Sequence, residues 1–146
     1  MRPTQEREED FLDIMSIARS LVGYNVQVEY GQWPMHRQVG PDRHAIFLPL
    51  VKGRGEEFHR KLQMLTAHEC GHALYTNIQS RLEYKGKWWE LGNLRKKMSP
   101  STYNIFGWLE DIRIETLMTK QTIAPMILPM SFADFRLLFN RQVIAR

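Results

Sequence analysis

Thr66-Ala-His68-Glu69-Cys70-Gly71-His72-Ala-Leu-Tyr75-Thr76 is the stretch on which the reading of this chain turns. His68, Glu69 and His72 spell HExxH inside a segment, Glu56 to about Gln79, that has helical periodicity and no proline. On a helix, positions i and i+4 lie one above the other, so His68 and His72 can offer two imidazole nitrogens to one cation. Glu69 is turned by about 100° from His68. That offset keeps its carboxylate off the metal and beside a metal-bound water. Two histidines with one adjacent carboxylate make the donor set of a zinc hydrolase, in which the Glu takes a proton from that water.

The bland alternative is a chance match on a solvated helix face, expected in about 1% of shuffled sequences of this composition. The neighbours argue against it. Met64, Leu65, His68, His72 and Tyr75 share one stripe, and Leu62, Ala67, Ala73, Leu74 and Ile78 cover other faces. A helix apolar nearly all round is buried, and buried histidines need partners. Cys70 points about 200° from His68, which removes it from the same metal and leaves it a small buried hydrophobe. As the sole cysteine it has no partner in the chain, which suits a reducing compartment.

The 146 residues are read as a single domain, 1–146, large enough to bury a core without disulfides. The formal net charge is +4. Its basic clusters, at Lys52–Arg54, His59–Lys61, Lys85–Lys87 and Arg95–Lys97, are scattered and not interleaved with aromatics as a nucleic-acid platform would be. Solvated surface is the default reading, and nucleic-acid binding ranks last. The polar first ten residues are no secretion signal, and no apolar run approaches a membrane span. A soluble, cytoplasmic protein is expected.

Outward from the central helix, Thr4 to Leu21 reads as an amphipathic helix with Phe11, Ile14, Met15, Ala18 and Leu21 inward, stopped by Gly23. Tyr24 to Tyr30 alternates as a half-buried strand. Gly31 to Asp42 reads as a loop. His44 to Val51 is a second strand, placed at a sheet edge because Pro49 cannot donate a ladder hydrogen bond. Lys52 to Gly55 is a turn without the ending of a phosphate loop. Arg81 to Lys87 breaks the helical pattern, and Trp88 to Lys97 suggests a short helix. Ser99-Pro100 signals a helix start, with the helix running to about Thr119. An apolar loop spans Thr122 to Met130, and Ser131 caps a last helix carrying Phe132, Phe135, Leu138, Phe139 and Val143 inward.

A catalytic zinc needs a third protein ligand. No third histidine follows at metzincin spacing. His59 falls on the opposite side of its helix, and His36 and His44 are weak candidates. On the Ser99–Thr119 helix, Glu110 lies within about 60° of Tyr103, Phe106, Gly107, Ile114 and Leu117, a carboxylate in an apolar stripe that a metal would satisfy. A salt bridge to Arg113 is the alternative role for Glu110. Asp111, Asn104 and Glu115 fall on a polar arc suited to hydrogen bonds around the site or to solvent, and Asp111 is the carboxylate that could replace Glu110 as ligand.

Thr66–Thr76, followed by Trp108-Leu-Glu-Asp-Ile-Arg-Ile-Glu115, resembles a group of bacterial and phage zincin metallopeptidases with the motifs HExGHAxYT and LEDxRIE, often linked to a von Willebrand factor A domain. The resemblance covers roughly residues 60 to 120. Cys70 departs from the residues associated with its position, and the 146 residues hold no von Willebrand segment. The resemblance implies a gluzincin-like site with Zn2+ on His68, His72 and Glu110. It implies an α+β, zincin-like fold, mostly helical, with a small sheet packed on the HExxH helix. The function expected is hydrolysis of a peptide or protein substrate, with Glu69 as general base and Tyr103, Arg113 or Tyr84 steadying the oxyanion. In zincins the strand before the HExxH helix borders the cleft, which would place an extended peptide along His44–Leu50, with Ile123–Met130 as a pocket wall. The competing readings are a non-catalytic zinc-binding module and, behind it, a nucleic-acid binder.

Overall fold

The computed structural model describes residues 3–49, 55–76, 81–84, 87–90, 93 and 96–144. Helix α1 (Pro3–Leu21) buries Ile14, Ile17, Ala18 and Leu21 at helical spacing. Gly23 follows at φ 115, a conformation that glycine adopts without a Cβ clash. Strand β1 (Val26–Tyr30) then buries Val26 and Val28 and exposes Gln27 and Glu29, as its alternation requires. Tyr24 and Tyr30, expected on the inner face, are exposed.

Two strands follow, β2 (Met35–Gly40) and β3 (Arg43–Leu48), and the sheet order is β1-β3-β2. β1 runs parallel to β3, with Val28 opposite Ile46; β2 runs antiparallel, with His36 opposite Ile46. This overturns the edge position expected for the strand beginning at His44: β3 is central and β2 is an edge. Pro49 lies one residue beyond the last paired position, Leu48, so it interrupts no ladder bond and sets no edge. The expected loop at Gly31–Asp42 also contains a strand. β2 lacked an apolar signature because its helix-facing positions are polar. Cross-strand partners share a face, so His36 points with buried Ile46, while Met35 and Val39 are exposed.

Helix α2 (Glu56–Tyr75) starts after Gly55, φ 96, with Glu56 and Glu57 in its first turn against the positive end of the helix dipole. Leu62, Met64, Ala67 and Cys70 are buried, and Thr66, fully buried, returns its hydroxyl proton to the Leu62 carbonyl at 2.7 Å. α2 packs against α1, against β2 and β3, and against α3 (Pro100–Thr119). At the head of α3, Ser99 Oγ accepts from the Thr102 amide at 3.3 Å and Pro100 occupies the first turn, as the Ser-Pro signal predicts.

Between them, β4 (Arg81–Tyr84) and β5 (Lys87–Glu90) pair antiparallel, replacing the expected break and the start of a helix at Trp88. The bulky aromatic pair Trp88-Trp89 favours a pleated strand over a helix. A single helical turn, α4 (Ile123–Ile127), lies in the expected apolar loop and buries Ala124 while Met126 stays exposed. Helix α5 (Phe132–Ile144) begins where Ser131 Oγ accepts from the Asp134 amide at 3.1 Å, and it buries Phe132 and Phe135. Among the expected features, the turn at 52–54, residues 77–80 and the side chains of Phe11, Tyr84, Phe139 and Val143 lie outside the described residues. The architecture is mixed α and β, with five helices and a three-stranded sheet among the described residues. No described helix is long and apolar enough to cross a membrane.

α2 and α3 cross closely at Gly71. A Cβ at that position would lie 3.2 Å from Ile114 Cδ1 and 3.3 Å from Met118 Cγ, and both partners are fully buried. Anything larger than a methyl group must push α3 away. Gly71→Leu is therefore expected to lower unfolding free energy by about 1–3 kcal/mol through overpacking. Urea unfolding of the two proteins measures this, and unchanged stability would show that the crossing has slack.

Candidate metal centre

The two histidines of α2 project toward α3 with ring centroids 4.9 Å apart and planes nearly perpendicular. Both reach one carboxylate. Asp111 Oδ1 lies 3.2 Å from His68 Nε2 and 3.1 Å from His72 Nε2. One donor atom from each of the three residues lies within 4.8 Å of the others. Three ligands of a tetrahedral zinc, at bond lengths near 2.0–2.1 Å, stand about 3.3 Å apart. The Asp111–histidine separations sit within a few tenths of that value and all three donors lie within 4.8 Å of one another, so side-chain adjustment can bring this donor set onto one zinc ion.

Each histidine is held from behind through Nδ1. His68 Nδ1–H donates to Glu115 Oε2 at 2.9 Å. Glu115, 8% exposed, is gripped in turn by Arg136 of α5, whose Nε donates to Oε1 at 3.1 Å and whose terminal nitrogen donates to Oε2. His72 Nδ1 lies 2.9 Å from Thr76 Oγ1. Thr76 donates its own proton to Glu110 Oε1 at 2.7 Å, so its oxygen accepts from His72. Arg113 closes this second chain, donating to Glu110 Oε2 at 3.0 Å and Oε1 at 2.5 Å and to the Tyr75 carbonyl at 2.6 Å. Both chains fix the ring and leave Nε2 aimed at the Asp111 side. This is the support that metal-binding histidines receive from outer carboxylates.

The two carboxylates of α3 have therefore exchanged the places expected of them. Asp111, expected on a polar arc around the site, faces both histidines; Glu110, expected as third ligand, is engaged by Thr76 and Arg113. The reason is the helix phase. Asp111 lies within about 60° of Ile114, Glu115 and Met118, the buried residues of α3, whereas Glu110, about 40° from Ile114, is turned about 80° from Met118 and about 140° from Glu115. The partly buried Tyr103, Phe106 and Leu117 lie on the Glu110 side of α3 and give that stripe its apolar look in the sequence. An i,i+4 carboxylate pair, Asp111 and Glu115, opposite an i,i+4 histidine pair is the sequence signal for the face that meets the histidines. Thr76 and Arg136 were not singled out at all. Thr76 stands one turn after His72, a spacing that could have found it; Arg136 has no local signal, because only tertiary packing brings α5 to the site.

Of the residues expected to steady an oxyanion, Arg113 is engaged with Glu110 and the end of α2, and Tyr103 is half-buried two turns before Glu110. His59 Nε2–H donates to Asp13 Oδ2 at 2.8 Å, on another part of the surface. His36 and His44 meet each other, Nε2 to Nδ1 at 2.8 Å with stacked rings.

The electrostatics divide the carboxylates. Burial opposes ionisation of Asp111 and Glu115, yet hydrogen bonds from His68 to both, from His72 to Asp111 and from Arg136 to Glu115 outweigh it and hold both below the usual carboxylate range. Glu110 is lowered likewise, against its partial burial, by Arg113 and Thr76. Glu69, 7% exposed, moves the other way: burial raises its pKa, and the charges of His68 and His72 offset this only in part. Burial works against the His68 imidazolium, but its bonds to Asp111 and Glu115 push it up to about 9. Cys70 is fully buried and its thiol is pushed far up by desolvation, which makes it inert.

Comparison with protein-family models, curated proteins and solved structures finds no match.

In the metal-free protein these shifts set a stability profile. His68 has a folded pKa above its ordinary 6.5, so its contribution is full below pH 6.5 and disappears as pH rises toward 9. Asp111 and Glu115 are depressed from 3.8 and 4.5, so theirs is full above those values and lost on acidification. His36, lowered to about 4 by burial and the neighbouring His44, contributes stability that is lost as pH falls below 6.5. Thermal midpoints of chelator-treated protein should therefore peak near pH 6.5 and fall toward pH 9 and toward pH 4. His68→Gln should flatten the alkaline limb; an equally steep limb in that variant would assign it elsewhere.

Proposed function

We propose that this chain is a zincin-like zinc metallopeptidase, with His68, His72 and Asp111 as ligands and Glu69 as general base. The resemblance of the two motifs to zincin metallopeptidases supports the reading, and so does the fit of the three donors to zinc. The observation that carries it beyond a metal site to an enzyme is Glu69. Among the described residues, this buried carboxylate has no hydrogen-bonded partner, beside two histidines and three carboxylates that each have one or more. Burying such a group is costly, and a metal held only for structure has no use for it.

A bound zinc supplies Lewis acidity, polarising a carbonyl and lowering the pKa of water toward 7. The protein's own part follows from its geometry. Glu69, set off from His68 by one residue on α2, is positioned to accept a proton from water and return it to the leaving amine. Its raised pKa brings it closer to the neutral range in which a base can exchange protons in both directions. His68 and His72 are held by Glu115 and Thr76, so they need no reorganisation when the substrate arrives. β2 is the sheet edge beside α2, and an extended peptide can add to its outer backbone groups, which no described strand pairs, in place of the strand at His44–Leu50.

Two sets of variants test this. Asp111→Ala is expected to abolish stoichiometric zinc binding, whereas Glu110→Ala, which acts through Thr76, should weaken it by about 10–100-fold. Elemental analysis and chelator competition read the difference, and the reverse order would restore Glu110 as the ligand. Glu69→Gln should retain zinc and fold while losing cleavage of a peptide library, since an amide cannot accept the proton. Cleavage at the wild-type rate would refute the role of Glu69. A wild-type protein that holds zinc but leaves every peptide intact would point to the non-catalytic zinc-binding module.

A further inference from the structure

The third helical layer of the site comes from outside the two sequence motifs. α5 is anchored by Phe132 and Phe135, 6% and 3% exposed, and by its Ser131 cap. Arg136 follows one turn after Phe132, on the same stripe, with its guanidinium carbon 5.9 Å from the centre of the Phe135 ring. Both arms of its fork meet Glu115, one on each carboxylate oxygen. Glu115 has its other bond to His68 Nδ1, and His68 presents Nε2 to the Asp111 side. Packing thus fixes Arg136, Arg136 fixes Glu115, and Glu115 fixes the imidazole.

We propose that Arg136 is a positioning residue of the metal centre, acting through Glu115 to hold His68 with Nε2 ready for zinc. The inference rests on the zinc reading above. Its reason is geometric: a planar fork locks both oxygens of a carboxylate, so the bonded oxygen keeps one direction toward Nδ1. A lysine in its place keeps the charge but not the planar fork. Without Arg136, Glu115 would be a nearly buried anion free to turn away from His68, toward whatever donor or water it can reach.

The test is zinc affinity of the full chain, by competition with a chromophoric chelator, for wild type, Arg136→Ala, Arg136→Lys, Glu115→Gln and the double variant. Arg136→Ala and Glu115→Gln are each expected to weaken zinc about 10–100-fold, as loss of an outer partner does. The double variant should be little weaker than Glu115→Gln alone, because Arg136 bonds Glu115 directly and reaches Asp111 only by its charge at longer range. Arg136→Lys should fall between wild type and Arg136→Ala. The visible bands of the cobalt-loaded protein should shift in Arg136→Ala, since the ligand field at His68 changes.

Wild-type affinity in a folded Arg136→Ala, or fully additive losses in the double variant, would overturn the proposal. Should Arg136→Ala not fold, Arg136→Lys decides: a partial loss supports the role and wild-type affinity refutes it. A wild-type chain that binds no zinc removes the metal reading and this inference together, whereas zinc bound by wild type with Arg136 variants unaffected removes this inference alone.

Discussion

The close crossing of α2 and α3 at Gly71 is the constraint on which the site depends. Glycine there brings Ile114 and Met118 into contact with the backbone of α2. Ile114 and Met118 frame Glu115 on α3, and Asp111 is one turn before Glu115, so the same approach carries both carboxylates to His68 and His72. A wider crossing would take Asp111 and Glu115 out of hydrogen-bond reach of the histidines. The two variable positions inside HExxH therefore have unequal duties. Cys70 fills core with an unreactive thiol, while Gly71 sets the distance between the helices that share the donors.

Around that crossing, charge is arranged in two short chains that end in arginines. His68 leads to Glu115 and Arg136; His72 leads through Thr76 to Glu110 and Arg113. Partly buried carboxylates are costly unless they are bonded, and each chain gives its carboxylate two partners. The arginines come from different places: Arg113 is three residues after Glu110 on the same helix, while Arg136 belongs to α5. One half of the arrangement is consequently supported locally and the other by long-range packing, so the docking of α5 bears on His68 through Glu115 and, by charge, on Asp111.

Much of this was legible before any coordinates. The helical period of Glu56–Tyr75, the i,i+4 histidines, the amphipathic first helix and the Ser-Pro start of α3 are local signals, and each names its own structure. The failures have a common physical cause. β2 presents His36 and Gln38 toward the helices instead of apolar residues, so the period that reveals a strand had no hydrophobic phase to follow. Pro49 was read as an edge marker although it stands just outside the ladder. On α3, the partly buried Tyr103, Phe106 and Leu117 give the wheel centred on Glu110 at least as much apolar support as Ile114 and Met118 give the one centred on Asp111. Only the partner helix breaks that tie. Arg136 and the pairing of β4 with β5 likewise depend on contacts that no local pattern encodes.

The same distinction orders the four carboxylates gathered at α2 and α3. Asp111, Glu110 and Glu115 have donors aimed at them, and their acidity is strengthened accordingly. Glu69 has burial without a donor, and its acidity is weakened. Groups of one chemical type driven in opposite directions within one site are what a division into fixed anions and a proton acceptor requires. Asp111, Glu110 and Glu115 are bonded so that they stay charged. Glu69, one residue from the first histidine, is buried with no hydrogen-bonded partner among the described residues. That asymmetry arises from the fold itself: α3 turns its carboxylates toward donors on α2 and α5, while Glu69 is held on α2 beside the two histidines without bonding either.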